Sequence, residues 1–250
     1  MKLLVDVGNT RIKWAVLDNG KLSRLGAVVH RQVPAADWLV ALDAIEGHPE
    51  AILVANVAGP AVAGLIRNWA HTRHGQQPAF VQASRAAAGV ENSYEHPEAL
   101  GVDRWLGMIA AWQRVHGAVV CIIAGTATTV DALDERGRHT GGLIVPGYDM
   151  MVDSLLGQTS DIARAAKLES PRADGLLGRN TAAAVDLGAR LALAALAERV
   201  TDWVGKQGGV TPRVLLSGGA ASRIEPLLEL PVETVPDLVL EGLAVLAEGR

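Results

Sequence analysis

Residues 2–17 read KLLVDVGNTRIKWAVL, two runs rich in Val, Ile and Leu on either side of Gly8-Asn9-Thr10. Aliphatic and β-branched side chains suit a pleated, half-buried surface, and Gly-Asn-Thr suits a tight reversal. The stretch therefore predicts a hairpin with Gly8–Thr10 at its tip. A plain turn would need nothing more. This one also gathers the accessible backbone of Gly8, the amide of Asn9, the hydroxyl of Thr10, the ammonium of Lys13 and the carboxylate of Asp6, the groups from which a phosphate site is built. Asp6 sits inside an otherwise apolar strand, where an unpaired carboxylate is costly. A ligand, a metal ion or a paired cation such as Lys13 is expected beside it.

Working outward, Asp18-Asn19-Gly20 is a hairpin turn signal that leads to a third strand, Leu22 to Val29. A helix around Ala36 to Ile45, a strand Ala51 to Val57, a helix around Ala61 to His71 and a short strand near Ala79 to Gln82 follow. Ala83 to Leu100 reads as irregular, with Asn92, Ser93 and Pro97, and leads to a helix from Val102 to Val115. The pattern then restarts: Ala118 to Ala124, the Gly125-Thr126-Ala127-Thr128 turn, Thr129 to Leu133 and His139 to Val145 again read as three strands, ending at Pro146-Gly147. Helices dominate thereafter. The longest runs from Thr181 to about Val204 with Asn180 as its N-cap. A strand Arg213 to Leu216 meets Ser217-Gly218-Gly219, and Pro236 to Leu246 closes the chain as a helix. This order predicts an α/β fold made of a duplicated unit, 1–116 and 117–250, with a cleft between the halves; one large α/β domain is the alternative.

The 250 residues are 49 % hydrophobic, ample for a core, and the net charge of −4 with no basic run argues against a nucleic-acid or anionic-membrane binder. The single cysteine, Cys121, lies in VVCIIAG, which excludes an internal disulfide and predicts a buried thiol. No run approaches the ~20 apolar residues of a membrane span, and Asp6 and Asn9 interrupt the apolar start that a signal peptide would need. A soluble cytoplasmic protein is expected. The seven histidines form no metal pattern; His71 and His74 share a helix face beside Arg73 and Gly75 and read as a solvated helix end. Trp14, Trp69, Trp105 and Trp112 lie in apolar periodic stretches and read as core or interface residues.

The chain has no Gly-x-x-x-x-Gly-Lys-Ser/Thr loop, no Gly-x-Gly-x-x-Gly after a strand and no Gly-x-Ser-x-Gly elbow, so any phosphate chemistry uses another scaffold. Asp6-x-Gly8-Asn9-Thr10-x-x-Lys13, then Gly101-x-Asp103-Arg104, then Gly125-Thr126-Ala127-Thr128-Thr129 with Gly141-Gly142-x-Ile144-x-Pro146-Gly147, follow one another as in the type III pantothenate kinases. The chain resembles that family from Asp6 to about Gly219. The family lies within the acetate kinase, sugar kinase, Hsc70 and actin superfamily. The resemblance thus implies two ribonuclease-H-like (actin-like) domains, each opening with a β-hairpin or meander, and ATP in the cleft between them.

The same resemblance implies ATP-dependent phosphorylation of pantothenate to 4′-phosphopantothenate, the first step towards coenzyme A, by a homodimer using ATP and Mg²⁺. It assigns Asp6, Val7, Gly8, Asn9, Thr10, Arg11, Ile12 and Lys13 to a phosphate loop, with Asp6 near the metal-bound phosphates. Thr126 would contact ATP, and Ser217-Gly218-Gly219 resembles the loop on the adenosine side. Asp103 becomes the base that accepts the substrate hydroxyl proton and Arg104 the holder of the pantothenate carboxylate, while Tyr94, Gly101, Val102 and Thr181 complete the substrate contacts. Without the resemblance, Asp103 reads as an N-cap and Thr181 as a first-turn helix residue. One position departs from the family. Many members carry an aspartate for a monovalent cation (K⁺ or NH₄⁺) two residues before the second Gly-Thr, where this chain has Ile123, which puts cation dependence in doubt. A transcription-accessory regulator on the same scaffold and a kinase of another small hydroxylated substrate are the rival readings. Asp6, Lys13, Asp103 and Arg104 together argue against lost catalysis.

Overall fold

A computed structural model describes residues 1–43, 45, 47–168 and 173–249. The chain opens with β1 (Lys2–Val7), β2 (Arg11–Asp18) and β3 (Lys21–Val29), followed by α1 (Ala35–Asp43), β4 (Ala51–Asn56), α2 (Pro60–His74) and β5 (Ala79–Phe80). Two short strands, β6 (Ala86–Ala87) and β7 (Val90–Glu91), lie in the segment expected to be irregular, ahead of α3 (Val102–Val115). The second half runs β8 (Val119–Ala124), β9 (Ala127–Leu133), β10 (His139–Pro146), α4 (Tyr148–Gln158), α5 (Ser160–Leu168), β11 (Ala173–Asp174), β12 (Leu177–Gly178) and α6 (Thr181–Gly208). It ends with β13 (Arg213–Ser217), α7 (Ala221–Ile224), β14 (Glu233–Thr234) and α8 (Leu238–Ala247).

The duplication is visible in the sheets. One has strand order β3-β2-β1-β4-β5 and the other β10-β9-β8-β13-β14. In each, the first strand of the unit pairs antiparallel with the next and parallel with a strand reached by a crossover. The central strands β1 and β8 are covered on both faces, which is why they read as nearly unbroken apolar runs.

The chain packs as two compact units. The first comprises Met1–His116, Gly137–His139 and the chain from Asp237 onward; the second comprises Gly117–Arg136 and Thr140–Pro236. The halves read from the sequence, 1–116 and 117–250, assign the last segment to the second half, whereas its packing groups it with the first. The cause is α8, which buries Leu238, Leu240 and Leu243 against the first unit. Gly242 lets it approach α3 closely, since a Cβ there would lie 2.1 Å from the Leu106 carbonyl oxygen. The Arg114 guanidinium, on α3, grips the Glu241 carboxylate with two 2.7 Å hydrogen bonds.

In the first unit, strand alternation sends Leu3, Val5 and Val7 into one core with Trp14, Trp38, Ile52, Ile66 and Trp69. Asp6 therefore shares the opposite face of β1 with Leu4. Trp105 is fully buried and Cys121 is a buried thiol in no disulfide, as the apolar surroundings of each predict. α2 ends at left-handed Gly75 with His71 exposed, while His74 meets the edge of Trp69 at 5.2 Å. No helix of the described residues is long and apolar enough to cross a membrane.

Candidate functional site

The first hairpin closes where the Gly8 amide donates to the Arg11 carbonyl at 3.0 Å. His30 fastens the tip from the side. Its amide donates to Thr10 O at 3.0 Å, and its Nε2, which must carry the proton to donate, lies 2.7 Å from Gly8 O. Asn9 and Arg11 face solvent, whereas Val7 and Ile12 put their side chains into the core and offer the site only backbone groups.

Asp6 stands directly opposite Lys13 in the β1–β2 register, so the expected cation is in place. Burial pushes the Asp6 pKa up to about 7; Lys13 opposes the rise, and the charges of Asp103 and Asp237 add to it. Asp237, just before α8, is a member that sequence reasoning missed. It pairs with Lys13 at 3.5 Å and with Arg24 at 3.5 Å.

Asp103 is the second residue of α3, after the N-cap Gly101. A carboxylate there favours the positive end of the helix, and its Oδ1 accepts from the Arg104 amide at 2.8 Å. Gly101 leaves room for it, because a Cβ would lie 2.8 Å from Asp103 Oδ1. Val102 turns into the core beside it. Arg104 is 3 % exposed and its Nη1 donates to the Tyr94 hydroxyl at 2.8 Å. Its planar guanidinium has the fork geometry that suits a carboxylate.

The segment carrying Tyr94 is irregular in outline but firmly tied. Arg85 donates to the carbonyls of Asn92 at 2.9 Å, Tyr94 at 2.8 Å and Glu95 at 2.9 Å. The buried Asn92 side chain donates to Ser84 O at 3.2 Å and Pro97 O at 3.1 Å, and accepts from the Tyr94 amide at 3.0 Å.

In the second unit the tip of the β8–β9 hairpin is crowded by backbone. The Gly147 amide donates to Thr126 O at 3.0 Å, and a Cβ on Gly147 would lie 2.2 Å from Gly125 O. Gly218 has φ +100°, and a Cβ there would lie 2.3 Å from Ala124 O. Glycines at these points let three backbone segments meet at the hairpin tip that carries Thr126, where any side chain would clash. Thr181 is the first residue of α6, after Asn180, whose Oδ1 caps the Ala183 amide at 2.9 Å. It lines a largely apolar cavity of about 930 Å³ with Met150, Leu155, Ile162 and Val185. The structure thus brings Tyr94, Asp103, Arg104 and the Asp6–Lys13 loop into the first unit, and places Thr126 and Thr181 in the second.

Among the described residues no three His, Cys, Asp or Glu side chains converge as a metal-binding set. Mg²⁺ taken up with nucleotide phosphates would need only one or two carboxylates from the protein, and Asp6, two residues before Gly8, is the acid of the first hairpin that would supply one. Ile123 lies opposite Thr129 and gives a monovalent cation no charged oxygen.

The family model described as type III pantothenate kinase matches residues 2–202. The chain is 40 % identical to the type III pantothenate kinase of Nitrosococcus oceani, over 99 % of this chain and 94 % of that protein. It is likewise 40 % identical to the one of Aromatoleum aromaticum, over 99 % and 98 %. Among solved structures, the ethanolamine utilization protein EutJ from Carboxydothermus hydrogenoformans is similar with TM-score 0.53 at 16 % identity, over 98 % of this chain and 88 % of that one. The activator of the 2-hydroxyisocaproyl-CoA dehydratase from Clostridium difficile with bound ADPNP is similar with TM-score 0.52 at 12 % identity, over 99 % and 93 %. At that identity the likeness speaks for the fold, two actin-like α/β units.

Proposed function

The chain belongs to the type III pantothenate kinase family, and we propose that it transfers the γ-phosphoryl group of ATP to the 4′-hydroxyl of pantothenate, yielding 4′-phosphopantothenate and ADP. The observation that carries this reading is the placement of Asp103 in the first turn of α3 beside the buried, Tyr94-bound Arg104, in the same unit as the Asp6–Lys13 hairpin. The charge of Asp103 also adds to the raised pKa of Asp6.

Asp103 takes the hydroxyl proton as the new O–P bond forms and the bond from the γ-phosphorus to the bridging oxygen breaks, with ADP as the leaving group. Lys13 and the Asn9-Thr10 tip that Gly8 turns outward neutralise phosphate charge. Arg104, held by Tyr94, pairs with the pantothenate carboxylate beside Gly101 and Val102, and Thr181 contributes a further substrate contact. Thr126 and Ser217-Gly218-Gly219 serve the nucleotide. Mg²⁺, when bound with ATP beside Asp6, supplies further neutralisation of the phosphates.

By the same family reading the enzyme is a cytoplasmic homodimer, a state that light scattering on the purified protein measures directly. The function is tested by coupled ADP release with and without pantothenate. ADP formation that depends on pantothenate supports it. Equal release without pantothenate, or stronger stimulation by a sugar, overturns it.

A further inference from the structure

His139 opens β10 and is 3 % exposed. Its ring stacks on Tyr94 with centroids 5.8 Å apart and planes inclined by 20°, and its Nδ1 lies 3.3 Å from Ser93 Oγ. The short segment Gly137–His139 packs with the first unit, although the strand that follows belongs to the second.

This placement is built into the backbone. Gly137 has φ +78°, and a Cβ there would lie 2.2 Å from Gly89 O. Gly89 has φ +82°, and a Cβ on it would lie 2.5 Å from Trp112 Nε1. Both positions need glycine for conformation and for space. The Glu91 amide donates to Gly137 O at 3.0 Å, and Glu91 forms an isolated bridge with Arg138. The turn is thereby pressed against β7, and the next residue along is His139.

A histidine buried only to fill a core would have no need of this approach. His139 instead covers one phenol whose hydroxyl receives the Arg104 guanidinium. Arg85 and Asn92 fix the backbone of the Tyr94 segment but not the rotation of its ring. The imidazole stacks on the ring, while Arg104 meets its hydroxyl and lies 5.6 Å from its centroid.

We infer that His139 is a positioning residue for the acceptor substrate, fixing the Tyr94 ring so that its hydroxyl holds Arg104 in place for the substrate carboxylate. The inference rests on the reading of Tyr94 and Arg104 as the carboxylate-binding pair. It gives the Asp134–His139 turn a role in selecting an anionic acceptor over a neutral one.

The test is steady-state kinetics on the full-length enzyme with His139→Ala, His139→Leu and His139→Phe. Removing the ring face is expected to raise the KM for pantothenate about tenfold while KM for ATP and kcat change by less than about threefold. His139→Phe restores the stacked face and is expected to recover most of the lost affinity. His139→Leu fills the volume without a ring face and gives the same reading if His139→Ala does not fold. An unchanged pantothenate KM in an active, folded Ala or Leu variant overturns the inference alone. So does a parallel rise in both KM values, the mark of a merely structural role. Absence of pantothenate-dependent turnover in the wild type overturns the underlying reading, and the inference with it.

Discussion

Lys13 Nζ lies 3.5 Å from Asp237 Oδ1, joining the first hairpin of the chain to the residue that precedes its last helix. The same carboxylate pairs with Arg24 at 3.5 Å. The lysine proposed to meet phosphate is thus already held by an anion. On that proposal, neutralising the anion removes a charge that repels the nucleotide and releases the lysine. Asp237→Asn is therefore expected to lower the KM for ATP roughly threefold at low ionic strength, with the difference shrinking in salt. Because both partners are about one-fifth exposed, the loss of stability should be about 1 kcal/mol or less by urea titration. A higher KM for ATP would mean that Asp237 positions Lys13 rather than competing for it.

Asp6 gives stability a pH dependence of unusual sign. Its folded pKa is raised to about 7 from 3.8, chiefly by burial, so the folded state keeps a proton that the unfolded state has lost. The contribution is fully present below the unfolded pKa and declines as pH rises to about 7. Unfolding midpoints measured from pH 4 to 8 should fall more steeply in the wild type than in Asp6→Asn, which has nothing to titrate. On the proposal that the ionised form serves metal-bound phosphate, kcat/KM for ATP should rise towards a plateau above pH 7. Equal slopes in the two proteins would place the Asp6 carboxylate in water.

Asp103→Asn keeps the side chain's shape and its position in the first turn of α3, but the amide cannot take a proton. Turnover is expected to fall by roughly 10² or more while ATP affinity, measured by calorimetry, stays within a fewfold of the wild type. Wild-type-like turnover in this variant would remove Asp103 from the role of base.

The first hairpin, the restart at β8 and the α3 boundaries were legible because each rests on local signals: alternation, a Gly-containing turn and helical periodicity. Asp6 could be singled out from its apolar neighbours alone, and its pairing with Lys13 follows from hairpin register. Asp237 and His139 could not be found in that way. Asp237 reaches Lys13 only because α8 returns to pack on α3, a contact set by Gly242 and Leu106 and carried by no periodicity. His139 depends on the facing glycines 89 and 137, whose mutual approach has no signature in either local sequence. The roles of Tyr94 and Arg104 came from family resemblance. Physics alone shows a buried guanidinium with a phenol partner, and explains why a carboxylate suits it.

Ile123 leads to the last expectation, on monovalent cations. It lies in β8 opposite Thr129, at the position matching Asp6 in the first hairpin, and its alkyl side chain supplies no oxygen. The buried hydroxyls of Thr128 and Thr129 have no hydrogen-bond partner among the described residues, yet they are neutral and bring no charge to offset the dehydration of a cation. Exchanging potassium for sodium in the assay should therefore change turnover by less than about twofold, an insensitivity that follows from the missing charge. Ile123→Asp restores the charge, and its turnover should become dependent on potassium if the surrounding oxygens are arranged for the ion. A collapse of wild-type activity in sodium would show that another group supplies the site, with Asp131, on β9 opposite Cys121, the next residue to substitute.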